Sequence, residues 1–268
     1  MSSDDGSPEW RVRLTLHYDG GGFAGWQVQP GLRTVQGELE AALSRLIDRP
    51  TSVVAAGRTD RGVHATGQVA SALVPARWTA ERLRRALEAV LPKDVWVVEA
   101  YDVPLAFHAR YDAVARGYVY RVGTRPIATS PFLRRWCWPV REALEPRVLT
   151  AAAERILGEH AFRAFAKAGQ PERGERCLVL RSSWTEWKAG LEYRVVANRF
   201  LHHMVRYMVG TMVDTARGRR SVSEFERLLG GDPAFETSPP APPEGLYLTR
   251  VYYPRDETRD EERDEVLP

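Results

Sequence analysis

The chain has 268 residues, 44% of them hydrophobic, and a net charge of +3, enough for one large domain or two smaller ones with an ample core. No apolar run approaches the roughly 18 residues that span a membrane, the polar, acidic opening from Met1 to Glu9 lacks a signal-peptide core, and two cysteines, Cys137 and Cys177, stand at no metal or redox spacing, so nothing suggests a disulfide framework and a reducing cytoplasm is the natural reading. Of the 38 basic residues 35 are arginine, the cation that pairs bidentately with phosphate and stacks on bases; arginine-rich codon usage accounts for most of that excess, so the distribution says more than the total.

Arg11 to Tyr18 alternates, with Val12, Leu14, Leu16 and Tyr18 on one face, and reads as a half-buried strand. After a glycine-rich loop, Thr34 caps a helix with Val35, Leu39, Leu43 and Leu46 at helical spacing. Strands follow at Thr51–Ala56 and from Gly67 to Val74, then a helix from Thr79 to Leu91 and a strand from Val95 to Tyr101. The second half repeats the order: a strand at Tyr118–Val122, a helix at Pro146–Leu157 ended by Gly158, a short segment His160–Ala166, and a hairpin of Cys177–Trp187 and Leu191–Ala197. A long helix at Leu201–Ala216, a short one opened by the Ser221/Glu224 capping box, an extended proline-rich linker at Pro233–Glu244 and a last strand at Leu246–Tyr253 complete it.

The run Ala56-Gly57-Arg58-Thr59-Asp60-Arg61-Gly62-Val63-His64 lies between two strand-like segments. Its carboxylate stands between two arginines, which favour the ionised acid, and its outer glycines permit a tight bend and close approach of a ligand. The pattern suits an ionised nucleophile or base facing an anionic polymer. It also describes a surface loop with an ordinary salt bridge, and structural ion pairs outnumber catalytic ones.

Gly57 to His64, followed by Gly67-Gln68, resembles the active-site signature of the tRNA pseudouridine synthase A family. Tyr18-Asp19-Gly20, Gly25-Trp26-Gln27 and Thr34-Val35-Gln36 resemble that family's opening; Phe107-His108-Ala109-Arg110 and the Tyr118/Tyr120 pair its middle; Phe200 to Arg206 and Gly245-Leu246-Tyr247-Leu248 its end. The ordered set runs from Tyr18 to about Tyr253.

The resemblance implies isomerisation of uridine to pseudouridine at positions 38 to 40 of the tRNA anticodon stem-loop. Nothing is oxidised and no group enters, so no cofactor and no metal is expected, and the sequence has no P-loop, dinucleotide fingerprint or Cys/His ligand spacing. Asp60 becomes the catalytic group, either adding covalently to the sugar or base or acting as a base during elimination of uracil. Tyr118 matches the tyrosine that stacks on the target uracil; core packing is the competing role, and Tyr120 fits it equally well. Gly117 departs from the larger polar residue that relatives often carry. Arg206 is implied as the charge partner of Asp60, where an arginine on an apolar helix would otherwise snorkel to solvent. Arg58 is the other partner, or a lever entering the RNA stack. Leu246 lines the base pocket or is a plain core leucine. Arg110 and Arg116 adjoin motif segments and are the best phosphate contacts among many arginines. His64, His202 and His203 have no catalytic role implied.

The expected fold is α+β: two ferredoxin-like βαββαβ halves with mainly antiparallel sheets and a basic active-site cleft between them. The expected division is a disordered N-terminus at 1–10, a domain at 11–105 carrying the Asp60 loop, a domain at 106–255 completing the cleft, and an acidic disordered tail at 256–268. The resemblance further implies a homodimer across which tRNA lies, in the cytoplasm and with no membrane partner. The competing classes are a non-catalytic RNA-binding module of ferredoxin-like fold and an acid-dependent RNA hydrolase. The first has no need of an Arg-x-Asp loop beside a stacking tyrosine, and the second would need a general acid or metal set that the sequence does not offer.

Overall fold

The computed structural model describes residues 8–167 and 174–254. Most of the expected N-terminal tail and all of the acidic tail at 256–268 lie outside the described residues. The chain divides into two compact units, Met1–Val114 with Leu248–Pro268, and Ala115–Tyr247. Ten strands, paired almost entirely antiparallel, and five α-helices are found among the described residues, so the α+β class holds. No described helix is long and apolar enough to cross a membrane.

In the first unit the order is β1 (Glu9–Tyr18), α1 (Val35–Ile47), β2 (Val54–Ala55), β3 (His64–Pro75), α2 (Ala80–Val90) and β4 (Val95–Val103). β1 is central: it pairs antiparallel with β3, Leu14 opposite Ala70, and with β4, Leu14 opposite Ala100. Its alternate residues Val12, Leu14, Leu16 and Tyr18 are buried, as the period-2 pattern requires. The Thr34 side chain caps α1 by accepting from the Gly37 N–H, and the Thr79 side chain caps α2 by accepting from the Arg82 N–H. Ile47 rather than Leu46 completes the buried stripe of α1.

β2 is shorter than expected because α1 satisfies its approach. The Thr51 N–H bonds Ser44 Oγ and the Val53 N–H bonds Glu40 Oε1, both at 2.9 Å, leaving only Val54 and Ala55 to pair with β3. The last strand, β10 (Leu246–Tyr252), returns beside β3. There the two backbones come so close that a Cβ on Gly67 would overlap the Thr249 carbonyl.

In the second unit β5 (Ala115–Gly123) is followed by β6 (Trp138–Pro139), α3 (Pro146–Arg155), β7 (Gly158–Ala161), β8 (Arg176–Trp187), β9 (Gly190–Ala197), α4 (Met204–Ala216) and α5 (Val222–Leu229). The sheet runs β5–β9–β8–β7, with Tyr118 opposite Val195. The segment expected at His160–Ala166 is split: β7 ends at Ala161 and a 3-10 turn carries Phe162 and Phe165 into the core. The helix expected from Leu201 begins only at Met204, because His203 is in the left-handed region at φ 64, which a helix cannot contain.

The proline-rich segment expected as a linker is instead seated on α4. The Ser238 N–H bonds Thr211 Oγ1 at 3.2 Å and the Ala241 N–H bonds the Arg206 carbonyl at 2.9 Å, and Gly210 lets the Pro239 carbonyl lie against the helix.

Gly67→Ala should lower the melting temperature by several degrees, since overpacking a core contact costs about 1–3 kcal/mol. Scanning calorimetry of the two proteins checks it, and an unchanged midpoint would show that β3 and β10 are not held at this spacing.

Candidate active site

Asp60 lies on the loop from β2 to β3, and the loop is fixed from three directions. The Trp26 N–H bonds the Thr59 carbonyl at 3.0 Å, and the Ala56 N–H bonds the Val69 carbonyl at 2.8 Å. Tyr18 and Thr59 share a hydroxyl–hydroxyl bond of 2.8 Å, and Gln68 Nε2 donates to the Gly57 carbonyl at 2.8 Å. The Val63 N–H closes a turn onto the Asp60 carbonyl at 3.2 Å, with Gly62 at φ 79 in the third position, the slot that a type II turn reserves for glycine.

Close approach explains the glycines of the opening motifs. A Cβ on Gly25, which sits at φ 108, would stand 2.9 Å from the Thr59 carbonyl oxygen, and one on Gly20 would overlap the Val63 carbonyl. The Gly20 N–H bonds His64 Nδ1 at 3.1 Å, and that nitrogen is 3.3 Å from Asp19 Oδ1. His64 is almost fully buried and clamps the far end of the loop. The Val35 N–H bonds the Gly25 carbonyl and the Gln36 N–H bonds the Trp26 carbonyl, so the open end of α1 is tied to the same segment.

The outcome is a graded exposure along four residues: Thr59 buried, Asp60 half-buried, Arg58 and Arg61 exposed. Burial pushes the Tyr18 hydroxyl up to about 12, against the opposing hydrogen bonds of Thr59 and Gln68, so Tyr18 stays a neutral hydrogen-bonding group through the physiological range. Gln68 and Tyr18 brace the loop that carries Asp60, a role that sequence reasoning did not give them. Gln68 is a fully buried amide on β3, and such a group needs partners; the sequence signal was its place beside Val69 and Ala70 in a strand-like run.

Arg110, also in the first unit, is exposed on a turn organised by His108, whose Nδ1 accepts the Arg110 and Tyr111 N–H groups at 3.2 Å each. The hydroxyl of Tyr253 anchors that turn by donating to the Ala109 carbonyl at 2.6 Å.

The second unit carries the remaining candidates. Tyr118 is half-buried on β5, its ring 5.0 Å from Phe200 in an edge-to-face contact. Tyr120, on the same face, is fully buried and donates to the Pro242 carbonyl at 2.7 Å. Arg206 projects from the first turn of α4, with its Nε donating to the Ala241 carbonyl at 2.7 Å; the proline-rich segment thus orients this guanidinium. Leu246 is buried at the start of β10. Arg116 donates to the Asn198 carbonyl at 3.2 Å. Among the other arginines, Arg84 and Arg85 pair with Glu81, and Arg217 and Arg219 pair with Glu142 and Asp214.

In this α+β protein, close-packed glycines, a buried tyrosine and a buried glutamine hold the turn that carries Asp60. The tRNA pseudouridine synthase family model matches residues 15–112 and 152–254. The tRNA pseudouridine synthase A of Moorella thermoacetica is 42% identical over 244 residues, covering 90% of this chain and 99% of that protein. Those of Methylacidiphilum infernorum and Cereibacter sphaeroides are each 41% identical, over 246 and 253 residues, covering 91% and 92% of this chain and 96% and 98% of theirs. The chain belongs to the tRNA pseudouridine synthase family and is an isomerase that acts on tRNA.

The high Tyr18 value carries a sign. A hydroxyl held protonated above its ordinary value of 10 contributes stability that is complete below about pH 10 and is lost as pH rises toward 12. Tyr18→Phe should cost about 1 kcal/mol near neutral pH and flatten the loss of stability between pH 10 and 12. Denaturant titrations across that range check it, and identical alkaline slopes would remove Tyr18 from the brace.

Proposed function

We propose that this protein converts uridine to pseudouridine at positions 38 to 40 of the tRNA anticodon stem-loop, with Asp60 as the catalytic nucleophile. The observation that carries the reading is the rigid turn that sets a half-buried carboxylate beside two exposed arginines. The reaction breaks the C1′–N1 bond and joins C1′ to C5 of the same uracil. N1 gains a proton and C5 gives one up, so the balance closes without oxidant, reductant or water. What it demands of the protein is an anionic group at C1′, a surface that keeps the freed base in place, and a way to take the nucleotide out of its stack.

Each demand has a residue. Asp60 acts on the sugar or base. Tyr118 receives the flipped uracil: it is half-buried where Tyr120, on the same face, is locked into the core, and an aromatic face is the usual partner of an unstacked base. Leu246 gives the pocket an apolar wall. Arg206 is the charge partner of Asp60, and Arg58, exposed one residue before Thr59, replaces the nucleotide in the stack. Arg110 and Arg116 contact phosphates. The two units are read as ferredoxin-like halves around a basic cleft; the order β4–β1–β3–β2 in the first and β5–β9–β8 in the second support that reading. A cytoplasmic homodimer, with tRNA lying across it, completes the proposal.

The test is incubation with unmodified tRNA transcripts bearing uridine at 38, 39 or 40, followed by mapping of pseudouridine at nucleotide resolution. Product confined to those positions is expected; product elsewhere, or none, overturns the assignment. In the same assay Tyr118→Phe should retain tRNA affinity while Tyr118→Ala loses about 1–3 kcal/mol of base stacking. Near-wild-type behaviour of both would return Tyr118 to core packing.

A further inference from the structure

The segment that leaves β5 carries an exposed face outside the residues assigned to the reaction. Residues 124 to 141 hold four arginines, Arg125, Arg134, Arg135 and Arg141, and no aspartate or glutamate. All four are exposed. At the tip Phe132 is 84% exposed, with Ile127 at 57%. Single exposed apolar residues are ordinary, but this one stands on a braced platform. The Arg125 N–H bonds the Ala189 carbonyl at 3.0 Å, and the Leu133 and Arg134 N–H groups both bond the Ser130 carbonyl, at 2.9 and 2.8 Å. Leu133, next to Phe132, packs into a small core of Ala128, Cys137 and Ala189. The backbone is therefore anchored while the neighbouring phenyl ring is held out to solvent.

We propose that Phe132, with Arg134 and Arg135, is a further tRNA contact, in which the ring stacks on an unpaired base and the guanidinium groups neutralise the phosphates beside it. Aromatic rings with arginine are the pairing that grips unstacked RNA, and arginine supplies both the charge and a second stacking plane. Charge selects the occupant. A two-fold contact with a second copy through residues 124 to 141 would set four arginines against four with no acid inside that segment to offset them, and like-charge juxtaposition opposes such pairing; a polyanion meets no such opposition. β5 carries the chain roughly 17 Å beyond Tyr118 before this segment begins, so the proposed contact is with a nucleotide other than the one that reacts. The inference rests on tRNA being the substrate and not on Asp60 or on positions 38 to 40.

The test is equilibrium binding of an unmodified, fluorescently labelled tRNA transcript to the full-length protein, with sedimentation of the same samples. Phe132→Ala should weaken binding about 5- to 150-fold, the range of one lost base stack, and Phe132→Trp should restore it. Phe132→Leu should bind as weakly as the alanine variant, because apolar area without a ring face does not stack. The Arg134→Gln/Arg135→Gln pair should lower the slope of log affinity against log salt by about 1 per lost phosphate contact. Affinity within twofold of wild type for Phe132→Ala, or wild-type affinity for Phe132→Leu, overturns the proposal. So does dissociation of an oligomer on Phe132→Ala, which would assign the face to a second copy. Because the readout is binding, its failure is distinct from failure of the catalytic assignment.

Discussion

Thr59 is held twice, and the residue after it inherits the restraint. Its carbonyl accepts from the Trp26 backbone and its hydroxyl meets Tyr18, 41 residues away in sequence. Only two soft dihedrals separate one residue from the next, so a residue fixed at both its backbone and its side chain leaves Asp60 little freedom. Tyr18 and Thr59 are both buried, which raises the penalty for losing either partner. The same strip of chain feeds α1, whose first N–H groups bond the Gly25 and Trp26 carbonyls. The helix start, the glycine-rich opening and the acidic turn therefore stand or fall together, and the positioning of the carboxylate rests on β1 and α1 as much as on its own loop.

What the sequence made legible was local. The alternation of β1, the threonine caps of α1 and α2 and the capping box of α5 were all readable, because each depends on residues within one or two turns of chain; the Ser221 side chain does accept from the Glu224 N–H at 3.2 Å. What was not legible depends on distant partners. The start of α4 is displaced by a left-handed His203; histidine is enriched in that conformation among non-glycine residues, but too weakly to set a helix start from sequence. The proline-rich run has a linker's composition yet docks on a helix, because Gly210 opens a groove for it. The last strand joins the first unit through contacts with β3, a pairing that no local pattern encodes.

The candidate site shows the same division. The motif resemblance pointed to Tyr118 as the stacking tyrosine, but the strand pattern alone left Tyr118 and Tyr120 equally suited to core packing, since two residues apart on a strand means the same face. Burial separates them: the segment from Pro242 to Gly245 closes over the Tyr120 ring and takes its hydroxyl, while Tyr118 stays half-exposed. Charge counting had the same blind spot. Arg84, Arg85, Arg217 and Arg219 are committed to carboxylates; helical spacing signals the pairs with Glu81 and the Arg217–Asp214 pair, but nothing local signals the reach of Arg217 and Arg219 to Glu142.

The central claim is that the braced turn exists to present one reactive carboxylate. The most direct measurement is the single-turnover rate of Asp60→Asn on saturating tRNA, with tRNA affinity and melting temperature measured on the same preparation. The account predicts a rate reduced by more than about a thousandfold, about 4 kcal/mol in the barrier, with affinity and melting temperature close to wild type. A rate within about tenfold of wild type, about 1.4 kcal/mol, would contradict it and leave the turn as scaffold for chemistry carried elsewhere.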